Sequence, residues 1–327
     1  MKILVAGGAG YIGSHTVKEL LGEGYEVLIF DNFSTGKKEL IIGGEVIEGD
    51  LMDKKSLIKA FQSKDIGAVL HFASLIQVGE SYANPRRYYI HNLISTLNLL
   101  DAMLDSSVQY FIFSSSAAVY GVPEKIPIPE SHVLNPINPY GRTKFFIEKI
   151  LQDYDRAYGL KFISLRYFNA AGADPEGKLG EMHEPETHLI PNIFLSLLGK
   201  KKILEIYGAD FPTPDGTAIR DYIHVTDLAS AHVLALKRLL AHLQSEFINL
   251  GTNKSYSVLE VIKKAEEITG QKISYKKVPR REGDVPVLLA SKDKAEQILS
   301  WELRHSNLEN ILKTAWQWHQ KMTKIEN

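Results

Sequence analysis

The sequence predicts an α/β chain, a doubly wound parallel Rossmann-type sheet followed by a smaller α/β substrate-binding domain. Three observations carry this. Short β-branched runs alternate with longer amphipathic stretches over the first 170 residues, the pattern of a parallel sheet wrapped by helices. A glycine-rich turn, Gly7-Gly8-Ala9-Gly10-Tyr11-Ile12-Gly13, follows the first apolar run and opens a helix. Asp31 ends the second run, 18 residues beyond Gly13, at the strand edge where such sheets gather ligands.

The elements follow in order. Met1-Lys2-Ile3-Leu4-Val5-Ala6 is too short an apolar run for a signal peptide and leads into glycines, so it reads as the first strand. Further strands are expected at 27–30, 45–48, 68–72, 110–113 and 162–167, with helical patterns between most of them. The helix after the glycine turn runs to about Gly22-Glu23-Gly24. Beyond residue 170, Pro/Gly-rich loops at 173–177 and 211–216 separate helices near 188–199, 227–243, 257–269 and 307–321. Phe247-Ile248-Asn249-Leu250-Gly251 is again strand-like. The expected division is therefore a dinucleotide-binding domain over 1–170, with part of 220–255 returning to its sheet, and a substrate domain over 171–327. Ile90, Leu93, Leu97, Leu100 and Leu104 repeat at 3-4-3-4 spacing, and Ile147, Ile150, Tyr154 and Tyr158 nearly so. Such broad faces fit packing on the sheet and also a bundle with a second copy.

Composition narrows the chemistry. The 327 residues are 44% hydrophobic, enough for an ordinary buried core. Thirty-eight basic and 39 acidic residues give a net charge of -1, so no global field attracts nucleic acid or an anionic membrane. No stretch has the length and apolarity of a membrane span, and a cytoplasmic enzyme is expected. With no cysteine, disulfides, thiolate metal sites and a thiol nucleophile are excluded, and no metal site is expected.

Two constellations carry function. Glycines at 7, 10 and 13 let the backbone turn sharply and approach a pyrophosphate held by the helix N–H groups, and Asp31 is suited to accept ribose hydroxyls and to repel a 2′-phosphate. NAD is therefore expected, with Lys37 and Lys38 the nearby counter-argument. Asp50-Leu51 follows the third strand and fits either adenine or a helix cap. The second constellation is Tyr140-Gly141-Arg142-Thr143-Lys144, a phenol and an ammonium on one helical face. Because an unperturbed phenol has a pKa of about 10, the lysine and a cationic nicotinamide are expected to favour the phenolate. Upstream, the strand before Ser114-Ser115-Ser116-Ala117-Ala118 ends in three hydroxyls.

Together with Asn32 and Arg166-Tyr167-Phe168-Asn169, these motifs resemble the extended short-chain dehydrogenase/reductase family and, within it, the UDP-hexose 4-epimerases, over essentially the full chain. His71-Phe72-Ala73, Val78-Gly79-Glu80-Ser81, Asn92, Asp215-Gly216-Thr217, Arg220-Asp221-Tyr222-Ile223-His224-Val225 and Arg281-Glu282-Gly283-Asp284 fit the same pattern. The resemblance implies a homodimer with a retained NAD that oxidises the sugar at carbon 4 and returns the hydride, interconverting UDP-galactose and UDP-glucose. It gives Tyr140 the proton transfer, Lys144 the tuning of Tyr140, and Ser116 a bond to the reacting oxygen. Phe72, Ala73, Asn92, Ser114 and Phe168 join the cofactor residues. Val78, Asn169, His188, Leu189, Tyr207, Arg220, Arg281, Asp284 and Leu288 are the substrate set, the arginines neutralising the diphosphate. For Arg220 an ion pair with Asp221 or Asp215 is the structural alternative.

Dehydrating relatives follow the Ser/Thr with an Asp-Glu pair and decarboxylating ones carry a Glu there; this chain has Ala117 and Ala118, so elimination lacks its proton carriers. A 4-epimerase of another nucleotide sugar, or a silent NAD and nucleotide-sugar sensor, is the alternative. Leu288, where glucose- and galactose-restricted relatives carry a bulkier tyrosine, points to acceptance of N-acetylated sugars. His188 stands where many relatives have asparagine, and Ile76 where some have lysine.

Three further signals are read as structural. His183-Glu184-Pro185-Glu186-Thr187-His188 is similar to a zinc-protease helix, but the spacing is one residue too long and Pro185 breaks the helix; a loop beside the substrate is expected. His224 and Asp227 read as a strand end and a helix capped by Thr226 or Asp227. Ser114 and Ser115 are expected to be locally satisfied hydroxyls, and Tyr120 to shape the pocket.

Overall fold

The computed structural model describes residues 1–62, 65–201 and 203–326. Seven strands, β1 Lys2–Ala6, β2 Glu26–Asp31, β3 Glu45–Glu48, β4 Ile66–His71, β5 Tyr110–Ser114, β6 Lys161–Tyr167 and β7 Glu246–Leu250, form one sheet in the order β7-β6-β5-β4-β1-β2-β3, every pair parallel. The strands expected from sequence are all present, each within two residues of its expected start. Residues 246–250 do return to the sheet, beside β6.

Among the described residues there are eight longer helices: α1 Tyr11–Gly22, α2 Lys54–Gln62, α3 Ser95–Asp105, α4 Pro139–Tyr158 and α6 Val225–His242, which pack on the sheet, and α5 Leu189–Leu197, α7 Val258–Thr269 and α8 Leu308–Glu326, which form the C-terminal part. Successive residues of a strand face opposite sides, and β1 shows it: Ile3 and Val5 join one core with Val17, Leu20 and Leu236 of α1 and α6, while Leu4 and Ala6 join another with Leu57, Leu100 and Ile147 of α2, α3 and α4. A third core, with Ile193, Phe194, Val261 and Leu312, belongs to the C-terminal helices. Both faces of β1 are covered, which is why its run is continuously apolar.

Strand order reverses between β1 and β4, so the crevice at their carboxyl ends is the ligand position of the fold. One expectation is corrected: α6 begins at Val225, and its cap is His224, whose side chain accepts from the Thr226 N–H at 3.2 Å. Asp227 accepts instead from the Arg304 and His305 N–H groups and the Ser306 hydroxyl, joining α6 to the chain before α8.

Candidate active site

The glycine turn is built by close approach. Gly7 has φ +81°, and a Cβ there would lie 2.6 Å from the Ala73 backbone nitrogen; a Cβ on Gly13 would lie 2.1 Å from the Gly7 oxygen. Only glycine fits either place. Gly10 precedes α1, which has no side-chain cap and no acid in its first turn, so its leading N–H groups and dipole are available to an anion. The Tyr11 hydroxyl donates to the Gly172 carbonyl at 2.6 Å and Ile12 packs on the core, so both offer a ligand their backbone.

At the end of β2, the Asp31 carboxylate accepts from Ala9 N–H at 3.0 Å and Phe33 N–H at 2.9 Å, and a Cβ on Gly36 would lie 2.8 Å from it. Each oxygen keeps a further lone pair. Asn32 Nδ2 donates to Asp50 Oδ2 at 3.0 Å, and Asp50 Oδ1 accepts from Met52 N–H; Asp50 closes a turn ahead of α2, while the Leu51 side chain lies in the core. The two lysines near Asp31 are engaged elsewhere: Lys37 lies 3.6 Å from Glu184 and Lys38 3.4 Å from Glu48.

The catalytic candidates converge because two turns touch. Asn138 caps α4 through the Gly141 N–H at 2.7 Å with Pro139 in the first turn. Ser116 caps the short turn Ala117–Val119 through the Ala118 N–H. A Cβ on Gly141 would lie 2.6 Å from the Ala118 oxygen, so glycine lets α4 approach this turn. Tyr140 and Lys144 are both buried. Burial pushes the Tyr140 phenol above its ordinary 10, opposed by its hydrogen bond with Ser116; burial pulls Lys144 down to about 7, opposed by Glu148. The Lys144 ammonium donates to the Ser114 carbonyl at 2.8 Å and lies 4.9 Å over the Phe113 ring and 5.8 Å over the Tyr140 ring.

Behind Lys144 stands a buried network that sequence reasoning missed. Glu148 pairs twice with Arg166, at 2.9 and 2.7 Å, and accepts from the Ser115 and Ser164 hydroxyls. Arg166 also donates to Tyr120, which donates to Asn249 of β7. Tyr120 is thus fully buried and supports the site from behind. Ser114 shares a short hydrogen bond with Tyr167. Asn92, in a π-helical turn Tyr89–Ile94, holds Leu75 by both backbone groups and donates to Thr143 at 3.0 Å, tying the β4 loop to α4. The one signal for Glu148 was its place four residues after Lys144.

The expected substrate residues gather partly. Arg281 pairs with Asp284 at 3.0 Å and lies 4.9 Å over Tyr207, and Arg220 feels the charges of both Asp284 and Arg281. Arg220 donates to the Ile219 carbonyl; the carboxylates considered for it are taken, Asp221 by Thr252 and Asp215 by Thr217 and Ser257. A Cβ on Gly283 would lie 2.6 Å from the Tyr82 hydroxyl, so 281–284 packs on the helix Val78–Ala83 that begins with Val78. Asn169 donates to the Asp221 carbonyl. Leu288 and Phe168 pack against the small core of Ala117, Val119, Tyr120 and Ile128, which includes the turn after Ser116. Phe72 lies 4.7 Å from His232. Leu189 packs in the C-terminal core, leaving its backbone. His188 precedes α5 and is paired with Glu181 and Glu186. The loop 181–188 is not helical, as Pro185 requires.

Residues 3–251 match the family model described as the NAD dependent epimerase/dehydratase family. The chain is 46% identical over 325 residues to a UDP-glucose 4-epimerase of Lactobacillus helveticus, covering 99% of this chain and 98% of that one. It superposes with TM-score 0.93 on UDP-glucose 4-epimerase from Brucella ovis in complex with NAD, at 47% identity over 96% of this chain and 97% of that one. The UDP-Glc/GlcNAc 4-epimerase of Campylobacter jejuni gives TM-score 0.84 at 40% identity, covering 98% and 99%.

Proposed function

The chain belongs to the NAD dependent epimerase/dehydratase family, and on that premise we propose that it is an NAD-dependent UDP-hexose 4-epimerase interconverting UDP-galactose and UDP-glucose. The observation that carries the reading is the convergence of Ser116, Tyr140 and Lys144 beside Ala117 and Ala118. The site moves a proton at one oxygen, and alanine stands at 117 and 118 where elimination would need a carboxyl.

Residues of the chain fit the cofactor. Gly7 and Gly13 leave a cradle that a side chain would fill, α1 offers uncapped N–H groups to the pyrophosphate, and Asp31 offers lone pairs to ribose hydroxyls. With both nearby lysines paired, the Asp31 edge favours NAD over a 2′-phosphorylated form. When bound, NAD supplies hydride acceptance and return at carbon 4. Tyr140 takes the 4-hydroxyl proton and gives it back, Ser116 bonds the same oxygen as it becomes a carbonyl, and Lys144 holds the electrostatics that make the phenol a base. Arg220 and Arg281 neutralise the diphosphate. Inversion needs the hexose to turn over while the nucleotide stays, which suits charged contacts to UDP and few to the sugar. The same proposal places the cofactor on the sheet and the UDP-sugar on the C-terminal part.

Leu288 beside the Ser116 turn supports acceptance of N-acetylated hexoses. The test is product chromatography after incubating the protein with UDP-galactose or UDP-N-acetylgalactosamine, without added NAD. Conversion of both is expected; conversion of the first alone rejects the broad specificity, and of neither, even with NAD restored, the epimerase reading. The outward faces of the π-helical turn before α3 and of α4, with Ile94, Phe146 and Tyr158 exposed, support a homodimer.

A further inference from the structure

We propose that Glu181, His183, Glu186 and His188 form a binding site for one divalent transition-metal ion of Zn²⁺ type, which clasps the loop between the cofactor turn and the substrate helix. Each of these four side chains offers one ligand atom, and the four atoms lie within 4.8 Å of one another. Glu181 Oε1 is 2.9 Å from His183 Nδ1 and 2.8 Å from His188 Nδ1; the Glu186 carboxylate is 2.9 Å from His188 Nδ1 and 3.9 Å from His183 Nδ1. A tetrahedral zinc with bonds of about 2.0–2.2 Å sets its ligand atoms roughly 3.4 Å apart, so small outward adjustments of the near pairs open the site.

The imidazoles of this cluster already bond its carboxylates, His183 to Glu181 and His188 to Glu186, both at 2.9 Å, and a metal ion would take the place of those protons. The single proton of His188 Nδ1 faces carboxylate oxygens at 2.8 and 2.9 Å, and two carboxylates share a space with side chains 4% and 8% exposed. One divalent cation with two neutral imidazoles balances both carboxylate charges. Two nitrogen and two oxygen donors suit zinc.

The ligands are held from outside as metal ligands are. Glu186 Oε1 accepts from the Thr187 and His188 N–H groups, both at 2.7 Å. The Glu181 carbonyl accepts from Trp318 Nε1 at 3.1 Å, and a Cβ on Gly180 would lie 2.3 Å from the Trp318 ring. His188, with its side chain 41% exposed, opens the cluster to solvent, giving the ion a path in. His183 meets the Tyr11 ring edge-on at 6.1 Å, and His188 begins α5, so the ion would tie the first turn of α1 to the start of α5. The sequence spacing ruled out a helical pair of histidines; a loop achieves the convergence that a helix there does not.

The test uses the full-length holoenzyme, stripped with a chelator and dialysed. Calorimetric titration with Zn²⁺ is expected to give one site per chain, and Co²⁺ in its place the intense visible bands of a tetrahedral centre. His183→Gln should weaken Zn²⁺ binding by more than about tenfold, the low end of the loss caused by removing only an outer-sphere partner. Glu186→Gln, whose amide oxygen still accepts the two backbone N–H groups, provides a second folded variant with the same expected loss. Zn²⁺ should raise the thermal midpoint of the wild type and leave that of either variant unmoved. Substoichiometric binding by the wild type, or equal affinity in both variants, overturns the assignment, whatever the epimerase assay shows.

Discussion

The chemistry of Tyr140 rests on one hydroxyl in a buried setting. Tyr140→Phe keeps the ring in place and removes the proton carrier, so kcat is expected to fall by about 10²–10⁴-fold with bound NAD still visible by absorbance; undiminished turnover would remove Tyr140 as the base. Lys144 makes a second test. Its folded pKa of about 7 lies below the ordinary 10.5, so between these values the unfolded chain binds the extra proton. Stability must then rise with pH across that window, by up to about 1.4 kcal/mol per unit. Urea unfolding from pH 7 to 9.5 should show a steeper rise in wild type than in Lys144→Met; equal slopes would mean the lysine stays charged when folded. Glu148 is the counter-charge of Arg166, both buried, and Glu148→Gln is expected to cost about 3–5 kcal/mol by leaving a guanidinium unpaired in the interior, read from the urea midpoint. The Tyr140–Lys144 spacing was legible in the sequence because both lie on one helical face. Glu148 was not, since its partners reach it from elsewhere in the chain, Ser115 from the turn after β5 and Ser164 and Arg166 from β6.

α4 carries the proposed catalytic pair, and its placement depends on the absence of a side chain at Gly141. In Gly141→Ala the methyl would meet the Ala118 carbonyl at 2.6 Å, and the helix must lift from the Ser116 turn. A displacement of that kind is expected to cost on the order of 10²-fold in kcat while NAD retention, set by α1 and β2, holds; unchanged kinetics would show that the contact does not position Tyr140. The strands and helices were readable because each has its own period and punctuation: the apolar run of β1, the glycine turn that opens α1, the Tyr140–Lys144 spacing on α4. The start of α6 was misplaced by two residues because histidine is an uncommon cap. His224 takes that role with its ring also bonded to Thr314 of α8, a contact 90 residues away that local propensity does not encode.

Over the whole molecule, α3 and α4 bury Leu99, Leu100, Ile147 and Leu151 against the sheet, while Ile94 of the π-helical turn before α3 and Phe146 and Tyr158 of α4 face outward. For the proposed homodimer, Phe146→Asp is expected to halve the mass measured by sedimentation without unfolding the chain; an unchanged mass would locate the interface elsewhere. The sequence by itself determined the parallel sheet, the glycine turn, the acid at the end of β2 and the Ser116, Tyr140 and Lys144 set, because each is written in short-range periodicity or in residues a few positions apart. Only the tertiary structure decided which carboxylate supports Lys144, which groups hold Arg220, and that Glu181, His183, Glu186 and His188 share one point. The first two depend on how strands, helices and loops distant in sequence pack together, where packing chooses among partners that spacing leaves equal; the third depends on the path of one loop, 181–188, which spacing alone does not fix.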